Sequence, residues 1–95
     1  MTKRAAVSAK AGVCINETEL GILLTLSSAP EGVKIMSITD LSSDLDRSNG
    51  AIRNAIKALE RKGLIDIHER FLRNGGRLEN EYELTSDGRR VVSLA

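Results

Sequence analysis

Ninety-five residues, 41% of them hydrophobic and carrying a net charge of +1, leave room for one domain around one modest core. No apolar run approaches the roughly 20 residues that a membrane span needs. The N-terminus lacks the apolar segment of a secretory signal, so a cytoplasmic protein with no membrane partner is expected. Cys14 is the only cysteine and His68 the only histidine, which excludes an internal disulfide and a thiolate zinc cluster.

Residues 1–13 carry Lys3, Arg4 and Lys10 among alanines with little apolar periodicity. A flexible basic arm is expected there, either a solvated terminus or a strand of charge lying along DNA phosphates; alanine content also permits a short helix. The domain itself is expected over 14–95. Asn16 followed by Glu19 has capping-box spacing and opens an apolar run of Leu20, Ile22, Leu23, Leu24 and Leu26. This first helix has apolar residues on more than one face, as a helix deep in the domain or at a subunit contact would. Pro30 and Gly32 end it. Val33 to Met36 is either an edge strand or an extended connector. Ser37 or Thr39 then caps a short second helix with Leu41 and Leu45 inside, and with Asp40 and Asp44 near its positive end.

The spacing predicts a longer helix over 48–62. Ile52, Ala55, Ile56 and Leu59 recur at intervals of three and four and so share the buried face. Asn49, Gly50, Arg53, Asn54 and Lys57 fall on the other side: hydrogen-bonding side chains, and one gap that lets a backbone come close. Ser48 is placed to cap the helix, Arg61 and Lys62 complement its negative end, and Gly63 stops it. The charge is concentrated here. Arg47 to Arg77 holds eight basic residues against Glu60, Asp66 and Glu69.

After Gly63 the period changes from 3.6 to 2. Leu64 to about Phe71 predicts a strand with Ile65 and Ile67 on one side, an alternation that Glu69 breaks. Asn74-Gly75-Gly76 is a hairpin turn signal. On the return strand, Leu78, Asn80, Tyr82 and Leu84 are expected on one face and Glu79, Glu81 and Glu83 on a wet one. Thr85 and Ser86 can cap a last helix, 87–94, offering Val91, Val92 and Leu94. The predicted class is α+β but mostly α, a winged helix-turn-helix: a three-helix core, a two-stranded β-hairpin wing and a short C-terminal helix.

From Leu41 to Ile65 the chain resembles, without a gap, the MarR- and PadR-type winged-helix pattern. The resemblance is carried by a leucine in helix two, a serine opening the third helix, Ile52, Ile56, Leu59 and the closing LERKGLI. Tyr82-Glu83-Leu84-Thr85 with Gly88-Arg89-Arg90 is similar to the end of the wing and the start of the following helix in those regulators. The resemblance implies a small transcriptional regulator, a repressor, that binds double-stranded DNA by sequence. Two departures stand out. The turn between helices two and three usually carries a small residue and then an apolar one, whereas here it has Asp46 and Arg47. Those regulators also dimerise through long terminal helices, and only about ten residues follow the wing. GRLENEYEL further resembles winged-helix domains of plasmid and phage replication proteins, a second functional reading.

Groove geometry assigns roles. Asn54 can pair with adenine and Arg53 with guanine, while Asn49 and Lys57 serve base or phosphate. Arg47, Ser48 and Gly50, at the start of the helix, are expected at the DNA as well, with Arg47 facing phosphate instead of core. Arg73 and Arg77 flank the Asn74-Gly75 tip, where they meet backbone or minor groove. A homodimer is expected through the first and last helices. No ligand pocket is recognisable, so an effector stays open. Glu79, Glu81, Glu83 and His68 are the only raw material for catalysis, and alternating acids on a strand are ordinary solvent-facing residues. No catalytic site, metal site or cofactor is expected. The contrasting class is a winged helix whose basic face binds an acidic protein.

Overall fold

The computed structural model describes residues 14–94, so the arm expected over 1–13 lies outside the described residues. Each helix begins at a side chain that satisfies amides its first turn would otherwise leave open. Asn16 Oδ1 accepts from the Glu19 amide at 2.9 Å while Glu19 Oε1 accepts from the Asn16 amide at 3.1 Å, starting α1 (Glu17–Ser27). Ser37 and Asp40 form the same reciprocal box before α2 (Ile38–Leu45), and Thr39 lies inside that helix. Ser48 Oγ accepts from the Ala51 amide at 3.1 Å and opens α3 (Asn49–Arg61). Thr85 caps α4 (Ser86–Leu94): its hydroxyl accepts from the Gly88 amide and donates to the Gly63 carbonyl at 2.7 Å, tying the helix start to the end of α3. A cap of this kind stabilises by about 1 kcal/mol.

Val33–Ile35 is a strand, β1, entered from a 3-10 turn at Pro30–Gly32. It pairs antiparallel with β3 (Arg77–Leu84), whose other edge carries β2 (Ile65–Phe71), in the order β1-β3-β2. The sheet therefore has three strands at its root, with Val33 opposite Glu83 and Ile35 opposite Glu81, and two beyond it. Ile65 and Ile67 pair with Leu84 and Tyr82. Between the pairs His68–Glu81 and Arg70–Leu78 one residue of β2 faces two of β3, a bulge in which Glu79 and Asn80 together oppose Glu69.

Along β2 the alternation of buried and exposed residues ends at Glu69, as expected; Glu69 shares the cleft with Ile67, past the point where that side is covered by core. The bulge corrects the expectation for β3, where the parity reverses. Leu78 pairs with Arg70 and Arg77 with Phe71, so Arg77, and not Leu78, joins the side of Asn80 and Tyr82.

One core holds the elements together, with Ile22, Leu23 and Leu26 of α1, Leu41 of α2, Ile52, Ile56 and Leu59 of α3, Tyr82 and Leu84 of β3 and Val91 of α4. α1 is thus the deep helix, which is why its apolar residues spread round it; Leu24 alone of its buried-type residues is exposed. Gly88 sets how closely α4 approaches: a Cβ there would lie 2.2 Å from the Leu64 carbonyl oxygen. No helix among the described residues is long and apolar enough to cross a membrane.

Candidate nucleic-acid interface

The turn that presents α3 is built on Asp46, whose left-handed backbone (φ 56, ψ 49) is a conformation that aspartate adopts more readily than most residues. The Arg47 amide donates to the Ser42 carbonyl at 3.1 Å, and Ser42 Oγ donates back to the Arg47 carbonyl. This closure explains how a turn without the usual apolar residue stays tight. The Arg47 side chain meanwhile turns toward α1, with Nε donating to Thr18 Oγ1 at 3.2 Å and Nη2 3.6 Å from Glu17.

α3 is divided as its spacing requires. Ile52, Ala55, Ile56 and Leu59 are buried, and Asn49, Gly50, Arg53, Asn54 and Lys57 are exposed. The exposed side meets two separate grooves. Arg53, Lys57 and Glu60 line an open cleft of about 590 Å³ between α3 and the wing, faced by Ile67, Glu69, Arg77, Asn80 and Tyr82. Asn54 faces the opposite way, with Ala58 and Arg61, into a groove of about 410 Å³ against the start of α1. The two residues expected to read bases are therefore on opposite flanks of the helix. Gly50 lies where a Cβ would meet nothing within 4 Å.

Among the described residues, Asn49, Arg53, Asn54, Lys57 and Arg73 make no side-chain hydrogen bond or ion pair. Other basic residues do. Lys62 Nζ donates to Glu19 Oε1 at 2.9 Å and to the Cys14 carbonyl, so it braces the C-terminal end of α3 against α1. Arg77 lies 3.3 Å from Glu69 and 3.2 Å from Asn80 Oδ1, with its guanidinium 5.7 Å above the Phe71 ring. Arg73 and Arg77, expected to flank the wing tip alike, thus differ: Arg73 is at the exposed turn and Arg77 folds back into the cleft. The tip is shaped by Asn74 Oδ1, which accepts from the Gly76 amide at 2.9 Å, and by Gly75 at φ 90. Sequence reasoning missed Glu69 as the partner of Arg77, which depends on the bulge, and the groove that Asn54 and Arg61, two turns apart on one flank of α3, share with the start of α1.

A family model described as a helix-turn-helix domain matches residues 30–78, just over half of the sequence, and the chain belongs to that family. No curated protein matches it in sequence. Among solved structures it is similar to the adhesin competence repressor AdcR of Streptococcus pyogenes, 25% identical, with 83% of this chain on 53% of that one and a TM-score of 0.64. It is also similar to ZitR of Lactococcus lactis, a zinc-responsive MarR family member (21% identical, 92% on 55%, TM-score 0.65). A third is a MepR mutant of S. aureus bound to an oligodeoxyribonucleotide (22% identical, 84% on 54%, TM-score 0.65). The chain spans about half the length of each of them.

Proposed function

We propose that this chain is a DNA-binding transcriptional regulator of the winged helix-turn-helix type, a repressor that lays α3 in the major groove with the wing beside it. One observation carries the reading: the exposed side of α3 holds a set of donors with no partner among the described residues, while its other side is wholly committed to the core. Polar groups kept unpaired on a rigid element are available to base edges and phosphates at no cost in broken contacts. Arg53 and Asn54 read bases from the two flanks of the helix. Lys57 and Asn49 meet phosphate or base, Ser48 holds the first turn in place, and Gly50 allows the backbone to come close. On the wing, Arg73 with Asn74 and Gly75 meets the DNA backbone or minor groove. Arg47 and Arg77 join the interface only by leaving their internal partners. The segment 1–13, with Lys3, Arg4 and Lys10, adds positive charge beside the domain of 14–95.

The reading assigns binding and no catalysis, and work on duplex DNA in the cytoplasm. One winged helix covers few base pairs, so a symmetric dimer on a palindrome with half-sites roughly 34 Å apart gives the specificity that a monomer lacks. Leu24 of α1 and Leu94 of α4 are the exposed apolar residues of the two helices expected to form it. The replication-protein reading is not favoured, since AdcR and ZitR are by name a repressor and a MarR family member.

The test is footprinting of selected DNA fragments with wild type and with Arg53→Ala/Asn54→Ala. The double variant is expected to melt within a degree or two of wild type and to lose about 1–3 kcal/mol of specific affinity for each base-reading contact. An identical protected site at identical affinity would remove α3 from the groove.

A further inference from the structure

We propose that Asp66, His68 and Glu83 form a binding site for a divalent transition-metal ion, with Zn²⁺ the best match, on the face of the sheet turned away from α3. The ligating atoms of the three side chains all lie within 4.8 Å of one another. Asp66 and His68 are two residues apart on β2 and so share a face, and Glu83 is the direct cross-strand partner of Asp66. His68 Nε2 is already 3.1 Å from Glu83 Oε1. Donors about 2.1 Å from a tetrahedral zinc are roughly 3.4 Å from each other, so the widest pair needs to close by at most about 1.4 Å. Side chains this exposed can do that by small rotations.

The charge arrangement points the same way independently of the distances. Like charges directly opposite on an antiparallel pair are destabilising, and this register places Asp66 against Glu83, with Glu81 alongside, opposite His68. No lysine or arginine forms an ion pair with Asp66, Glu81 or Glu83 among the described residues, and Lys34 of β1 pairs in register with Tyr82 and so belongs to the other face. A divalent cation offsets the acids and takes the imidazole as its nitrogen ligand. One imidazole with two carboxylates suits zinc better than magnesium or calcium, which take oxygen alone. The fourth position falls to water or to Glu81. Bound there, the ion staples β2 to β3 at the root of the wing, and because the ligands converge only in the folded hairpin it stabilises the native state.

The 95-residue chain is titrated with ZnCl₂ while the ring resonances of His68 are followed by NMR; it is the only histidine of the sequence, so the signals need no assignment. Affinity is measured in parallel by competition with a chelating dye, and the melting temperature is recorded with and without zinc. The ring signals are expected to move to saturation at one ion per chain. His68→Ala and the nearly isosteric Glu83→Gln should each weaken binding by roughly tenfold or more, Cys14→Ser should not, and zinc should raise the melting temperature of wild type and Cys14→Ser but much less that of the other two variants. Unmoved ring signals overturn the site. So do variants that bind as tightly as wild type while their circular dichroism shows them folded, or loss of binding in Cys14→Ser. None of these readouts involves DNA, so failure here leaves the regulator reading intact, and the reverse holds too.

Discussion

Lys57 and Lys62 lie about a turn and a half apart at the C-terminal half of one helix, carry the same charge, and do opposite things. Lys62 reaches inward to a nearly buried carboxylate, that of Glu19, and ties α3 to the N-cap of α1. Lys57 stands over the open cleft with no partner among the described residues. The same contrast divides Arg47 from Arg53, and Arg77 from Arg73. Eight basic residues between 47 and 77 suggest one positive surface, but three of them, Arg47, Lys62 and Arg77, are paired with acids of the same chain. A count of charges thus overstates how many cations are free to meet a partner; only their pairing shows which ones are. The wing cleft makes the point again, because Glu60 and Glu69 share it with Arg53, Lys57 and Arg77.

The comparison breaks most visibly at Lys62. Lys62→Met leaves the Glu19 carboxylate, only 6% exposed, with the Asn16 amide alone, and is expected to lower stability by about 2–3 kcal/mol in urea unfolding. Glu19→Gln added to it should recover much of that loss. If the single variant is as stable as wild type, the brace does not exist. Lys57→Ala is the complement: unfolding unchanged within about 0.5 kcal/mol, and DNA affinity lower by about 1–2 kcal/mol with a salt slope flatter by roughly one. A stability loss there would place Lys57 with Lys62.

The wing arginines sharpen the distinction at a smaller scale. Arg73→Ala is expected to weaken binding to all duplexes by about 1 kcal/mol, and Arg77→Ala by less. Glu69→Gln, which releases Arg77 from its ion pair, should strengthen binding and steepen the salt dependence by up to about one counterion. Equal effects of the two arginine variants would mean that Arg77 leaves Glu69 on binding. Arg47→Ala is the smallest case: its exposed contacts to Glu17 and Thr18 contribute about 0.5 kcal/mol or less to stability, and DNA affinity should not change.

Much of the fold was legible along the chain because the forces responsible act within a few residues. Asn16 with Glu19, and Ser48 with Ala51, meet across three positions of one turn. The buried face of α3 follows from helical period, and Ile52, Ala55, Ile56 and Leu59 are buried as that period requires. The turn at Asn74-Gly75-Gly76 follows from which residues accept positive φ. The polar side of α3 could be identified in the same way, and Asn49, Gly50, Arg53, Asn54 and Lys57 are all exposed.

What only the tertiary structure decided lies at larger separations in the sequence. Val33–Ile35 had to find β3, some fifty residues on, before it could be a strand and not a connector. The bulge at Glu79 and Asn80 reversed the parity of β3 and sent Arg77, not Leu78, into the cleft, which no alternation count in one strand can foresee. Lys62 reaches Glu19 across 43 positions and Arg47 reaches Thr18 across 29; Asp66, His68 and Glu83 come together only through strand pairing. Period and capping are properties of a single segment. Which arginine is free and which acids face one another depend on how segments pack, and a residue's own neighbours in the chain carry no record of that.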